Sequence, residues 1–139
     1  MSKSFQDLVA FQRAMDVVVA VYDVSSRFPS HEKFGLVSQV RRAAMGVPAQ
    51  IAEGQGRLTY GEWRQFLSQA RGSLFEVEAE LLAAERLHFA TADDLSECRI
   101  RIRRAGRALA GLIRWVQQRE RATAKRKHAA TQRPSNPAT

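Results

Sequence analysis

Apolar and small residues recur every three or four positions along most of this chain, and the recurrence falls into four stretches, each long enough for a helix. Leu8, Phe11, Met15, Val18, Tyr22 and Ser25 mark the first. Leu36, Val40, Ala43, Val47 and Ile51 mark the second, and Trp63, Phe66, Ala70, Leu74, Val77 and Leu81 the third. In the fourth, Leu95, Cys98, Ile102, Ala105, Leu109, Leu112 and Val116 alternate steps of three and four as a heptad seam does. The spacing predicts helices over about residues 7–27, 32–53, 60–89 and 93–120. The strand-forming run Val17–Val21 is too short to outweigh the helical period around it. Short loops between amphipathic helices predict an all-α fold, an antiparallel up-down four-helix bundle over residues 1–121.

The punctuation agrees with the period. Ser4 can cap the first helix with Asp7 three positions on, and Ser30 can cap the second behind the breaker Phe28-Pro29. Thr59-Tyr60-Gly61-Glu62 has the form of a capping box, and Thr91-Ala92-Asp93-Asp94 can end one helix and start the next. Gly54 and Gly56 are expected to end the second helix in left-handed geometry. Pro48 lies inside that helix, where a kink or break is expected at a cost of about 3 kcal/mol. Gly72-Ser73 removes bulk in the middle of the third helix, where another backbone could approach. Beyond Arg121 the apolar period stops, and residues 122–139 read as a disordered basic tail.

Charge alters the picture because of where it sits. The net charge is +8, yet residues 1–94 hold 10 Lys/Arg against 12 Asp/Glu, while residues 95–139 hold 12 against 2. On the fourth helix Arg99, Arg103, Arg107 and Arg114 fall within about 80° of one another, nearly opposite the apolar seam, with Arg104 beside them. Arginine offers phosphate a planar fork of donors and stacks on exposed bases, so the stripe points to backbone binding of nucleic acid, RNA favoured, helped by Lys125, Arg126 and Lys127. A merely solvated face would mix its charges, whereas Glu97 is the sole acid between Leu95 and Gln118.

Other chemistry finds little footing. His31, His88 and His128 have no metal-ligand spacing, and Cys98 sits in the seam, where a small hydrophobe is wanted. Gly54-Gln55-Gly56 follows no strand and precedes no phosphate-binding lysine, so no enzyme, cofactor or metal is expected. One cysteine, no basic-then-apolar leader and no long apolar run point to a cytoplasmic protein without a membrane span. A membrane-surface role is disfavoured because no apolar face adjoins the arginine stripe. On the second helix Gln39, Arg42, Gly46, Gln50 and Glu53 share a face, and the glycine predicts close packing near Gly72-Ser73 or on another subunit. Arg42 is expected to pair with Glu76 or Glu80. Gln39, Arg42, Gln50, Glu53, Ser73 and Glu76 are therefore candidates for a structural polar network or interface.

Phe28-Pro29, Glu32, Gly35-Leu36, Gln39, Arg42-Ala43, the block from Val47 to Gly54, Phe66-Leu67, Ala70, Gly72-Ser73 and Glu76 together resemble the four-helix bundle proteins encoded within 23S rRNA intervening sequences, over roughly residues 5–118. The chain departs from that pattern at Phe11, Gly46 and Gln50, where tryptophan, serine and asparagine are usual. The resemblance implies a ring-like homopentamer. It also implies similarity to the accessory protein of diversity-generating retroelements, a basic pentamer associated with nucleic acid and a reverse transcriptase. Two functions are thus expected to compete: a nucleic-acid-binding bundle, and a protein-interaction scaffold that recruits a reverse transcriptase or a ribosomal component.

Overall fold

The computed structural model describes residues 4–132. Four helices carry the fold: α1 (Val9–Ser25), α2 (Leu36–Gln55), α3 (Tyr60–Arg86) and α4 (Ala92–Thr131), preceded by short 3-10 turns at Phe5–Asp7 and Ser30–Glu32. Each helix packs against two others, α1 and α3 both lying against α2 and α4. The contacts run in opposite sequence directions along three of these pairs. Gly46 lies by Ser73 and Gly54 by Trp63 for α2 and α3. Arg101 reaches Asp16 and Arg27 reaches Asp94 for α1 and α4. Glu85 meets Arg99 and Arg64 meets Glu120 for α3 and α4.

The core follows the seam read from the sequence in α2, α3 and α4, but in α1 the buried face lies one position away, on Ala10, Ala14, Val17, Val21 and Val24, and Met15 and Tyr22, expected in the seam, are exposed. Val17, Val21, Val40, Val47, Ile51, Leu67, Val77, Leu81, Leu95 and Val116 are fully buried, whereas Phe11, Leu36 and Leu112 pack against them from the rim. Many core positions are valine or alanine, and small side chains let the helices come close. Gly54 marks a tight approach of α2 to α3: a Cβ there would stand 2.8 Å from Trp63 Cδ1 and 3.3 Å from the Trp63 carbonyl oxygen.

The helix ends differ from expectation in instructive ways. Ser4 caps the leading 3-10 turn by accepting from the Gln6 amide, so α1 itself starts later, behind Leu8. Ser30 opens a 3-10 turn, and the start of α2 is satisfied by Glu32, whose Oε2 accepts from the Leu36 amide at 3.0 Å. Pro48 does not break α2, which runs through it to Gln55 with the proline buried. Neither Gly54 nor Gly56 is left-handed; Gly56 closes α2 at φ −77°. The left-handed residue is His88, at φ 63°. There the Phe89 and His88 amides turn back to the carbonyls of Ala84 and Glu85, which ends α3 at Arg86 rather than Phe89.

The largest difference is at the C-terminal end. Residues 122–131, expected to be disordered, continue α4 to Thr131. Extending a helix already held by its core costs little once the first turn exists. Ala122, Ala124, Lys125, Arg126, Lys127, Ala129 and Ala130 are all good or fair helix formers with no glycine or proline among them. Cations near a helix C-terminus also suit its partial negative charge. Low hydrophobicity argued for disorder; propensity and continuity decide otherwise. The rest of the expected tail, from residue 133, lies outside the described residues.

Candidate nucleic-acid interface

The start of α4 is firmly set. Thr91 Oγ1 accepts from the Asp94 amide at 3.1 Å, and Asp94 Oδ2 accepts from the Thr91 amide at 2.9 Å, closing a capping box. The Thr91 amide and then its hydroxyl hold the Asp94 carboxyl below its usual range. From there Leu95, Cys98, Ile102, Ala105, Leu109 and Val116 turn inward. Burial pushes the Cys98 thiol up to about 11, so at neutral pH it is a protonated core side chain.

Turned the other way, Arg103, Arg107 and Arg114 are exposed, and none is paired with a carboxylate among the described residues. At 100° per residue they lie within about 40° of one another. Arg104 is exposed on the flank toward α1. Arg99, expected to belong with them, does not. Its Nη2 donates to Glu85 Oε1 at 2.6 Å, both side chains about two-thirds covered, so its charge is spent on joining α3 to α4. Arg101 is another tie, pairing with Glu97 at 2.9 Å and donating to the Asp16 carbonyl oxygen at 3.0 Å.

Because the helix continues, the basic residues beyond the core have fixed directions. Arg121 and Lys125 fall in the same narrow sector as Arg103, Arg107 and Arg114, giving one straight cationic line about 33 Å long. Arg126 and Lys127 project to other sides of the exposed helix. Arg121 was not singled out from the sequence, although the seven-residue step Arg107, Arg114, Arg121, His128 is its signal. The two acids of α4 beyond its first turn, Glu97 and Glu120, lie off this line and are each paired with arginine.

The root of the projecting segment is braced. Arg64 Nε donates to Glu120 Oε2 at 2.6 Å, and that carboxylate, chiefly through the hydrogen bond, raises the Arg64 pKa further. The Arg119 guanidinium stands 3.6 Å from the centre of the Trp115 ring, whose edge meets Trp63 and Tyr60. These contacts tie α4 to the start of α3 one turn before it leaves the bundle.

The polar face of α2 is brought together only in part. Ser73 Oγ donates to Gln50 Oε1 at 3.3 Å, and Gly46 lies against Ser73, where a Cβ would come within 3.1 Å of the hydroxyl. Close packing at that point is as expected, but Gly72 has no atom within 4 Å of where its Cβ would be. Glu53 pairs with Arg57 at 3.3 Å, and Gln39 is exposed. Arg42 makes no ion pair with Glu76 or Glu80 among the described residues: it is exposed, lining a hollow with Lys33, Phe34 and Arg41. Glu80 is left with a buried Oε2 that has no hydrogen-bond partner, and burial, then the neighbouring Glu76 charge, raises its pKa.

With this geometry in place, the sequence matches the 23S rRNA-intervening sequence proteins over residues 6–111. The chain belongs to that family. The family match takes in α1, α2, α3 and the packed half of α4, including Arg99, Arg103, Arg104 and Arg107, and stops short of Arg114, Arg121 and Lys125. Comparison with curated proteins gives no match. Among the described residues no helix is long and apolar enough to cross a membrane, and no group of three or more His, Cys, Asp or Glu side chains could hold a metal ion.

Proposed function

We propose that this member of the 23S rRNA-intervening sequence family is a non-enzymatic, oligomeric protein that binds nucleic acid, RNA in preference to DNA, through phosphate contacts along α4. One observation carries the reading: Arg103, Arg107, Arg114, Arg121 and Lys125 stand in a single exposed row that no carboxylate neutralises among the described residues. Such a row offers a polyanion closely spaced donors and releases counterions when phosphates replace water. Arginines that do not reach base edges in a groove position a backbone and carry no sequence code, so binding is indifferent to sequence. The family's tie to 23S rRNA intervening sequences favours RNA as the target. The homopentamer implied by the resemblance would repeat the row on each subunit and raise avidity.

The test compares retention of labelled RNA by the wild-type protein and by Arg103→Gln/Arg107→Gln/Arg114→Gln, with light scattering on both. Loss of RNA retention at unchanged mass supports the reading. RNA retention equal to wild type overturns it, and a monomer at micromolar concentration removes the oligomer.

A further inference from the structure

Between α3 and α4 the bundle is open on its outer side. Phe75 is 56% exposed and Leu82 45%, each next in sequence to a core leucine. The opening has a simple cause: α4 presents Gly106 and Ala110 where a larger side chain would fill the space, and the nearest atom to a Cβ at Gly106 is Leu74 Cδ2 at 3.7 Å. A groove of about 330 Å³ results, floored by Leu74, Ile102, Leu109 and Ile113. A second hollow of about 580 Å³ shares Phe75, Ile102 and Arg103 with it and continues to Leu82. From Arg71 to Leu82 the groove follows α3 for about 16 Å, three helical turns.

Its rim is basic. Arg71, Arg103 and Arg114 line the groove against one acid, Glu78, and Arg71 also stands over the Phe75 ring at 5.8 Å. A nucleic acid would answer the rim but leave the apolar floor wet. An apolar segment would cover the floor but bury guanidinium groups without partners. A second copy's α4 is itself cationic and is repelled. We infer that the groove between α3 and α4 receives an amphipathic helix of a protein partner, with an apolar ridge at helical spacing for the floor and Asp or Glu on its flanks for Arg71, Arg103 and Arg114. Arg103 and Arg114 also belong to the cationic row, so the partner helix and a nucleic acid exclude each other there. The docking claim stands independently of nucleic-acid binding; the competition rests on it.

The experiment uses the full chain and synthetic helical peptides of about 16 residues, long enough for the groove: a leucine-ridged peptide flanked by glutamate, its lysine-flanked counterpart, and a scrambled peptide of the first composition. Gly106→Leu places a side chain in the groove and improves local helix propensity, so the fold is retained. The acidic peptide should bind saturably in fluorescence polarisation, the other two should not, and Gly106→Leu should weaken binding about tenfold or more at a thermal midpoint no lower than that of the wild type. Equal binding of the scrambled peptide, equal binding to Gly106→Leu, or no saturable binding of the acidic peptide overturns the inference. A lower oligomeric mass for Gly106→Leu would give the groove to a second copy. A tenfold loss of RNA affinity in that variant would give it to nucleic acid. Either outcome also overturns it, whereas intact RNA binding without peptide binding leaves the function proposed above standing.

Discussion

Replacing Arg107, Arg114 and Arg121 together by glutamine should flatten the salt dependence of RNA binding without disturbing the fold. All three are exposed and free of carboxylates among the described residues, and glutamine is a good helix former, so the bundle should lose only a few tenths of a kcal/mol. Five aligned cations predict a slope of log affinity against log salt of about −3.5 for a single strand and about −4.5 for a duplex. Raising salt from about 50 to about 200 mM should then weaken wild-type binding about 130-fold to 500-fold. With two cations left, the slope falls to about −1.4 to −1.8, and the same salt step should cost only about 7-fold to 12-fold. Fluorescence anisotropy of a labelled RNA of about 20 nucleotides across a salt series reads both numbers. Arg99→Gln serves as the internal control: Glu85 already neutralises that guanidinium, so the slope should not move although stability drops. An unchanged slope in the triple variant would refute the reasoning, because the phosphates would then be meeting other cations. A fall in affinity by the same factor at every salt concentration would refute it as well, since that signals damage to the fold rather than lost charge.

Further outcomes follow from particular contacts. Ala124→Pro removes the hydrogen bond to the Glu120 carbonyl and should cost the projecting helix about 3 kcal/mol, lowering helicity by circular dichroism and the salt slope by about one, with no change in net charge. Gly54→Ala should lower the thermal midpoint, because overpacking against Trp63 and Phe66 costs about 1–3 kcal/mol against a propensity gain of at most about 1 kcal/mol. Gly72→Ala, with open space around it, should raise the midpoint through a gain of about 1 kcal/mol. Glu80 has its carboxyl pKa raised in the fold, so its contribution is favourable at low pH and is lost as pH rises through that value. Glu80→Gln should therefore raise the midpoint at pH 7 and change it little below the ordinary glutamate range, read by thermal melts across pH.

What could be read from residues alone was whatever depends on period. The buried positions of α2, α3 and α4 follow the steps of three and four read there, and Thr59 and Thr91 cap the helices they precede. In α1 the helix was legible but its phase was not, because the run Val17–Val21 is apolar on every side and the core takes Ala10, Ala14, Val17, Val21 and Val24 instead of Met15 and Tyr22. The misplaced ends were those set by side chains acting at a distance or by unusual backbone: Glu32 reaching to Leu36, and His88 taking a conformation usually left to glycine. The arginine row was legible as a pattern, but a helical wheel cannot tell a free guanidinium from a tied one. Arg99 fell inside the sector and was lost to Glu85, which lies fourteen residues away and on another helix. Arg42 shows the converse: a face that shares Gly46 and Gln50 with the packed side of α2 still leaves its arginine exposed, beside Lys33 and Phe34 and without a carboxylate among the described residues. The continuation of α4 carries no apolar period to mark it; its signal lies in helix propensity, in the alanines and cations from Ala122 to Ala130.

The unbroken backbone of α4 makes the direction of its distal cations a matter of phase. Each residue added or removed between Glu120 and Lys125 would swing everything downstream by about 100°, carrying Lys125 out of line with Arg103, Arg107 and Arg114. A flexible appendage would tolerate such an insertion without notice. Here the neighbours of Lys125 take its place: a one-residue deletion brings Arg126 into the row, and a one-residue insertion brings Lys127 to within about 20° of it. Only with Arg126 and Lys127 replaced by glutamine should a single-residue indel lower the salt slope by about one, whereas an insertion of seven, two near-whole turns, should be almost silent.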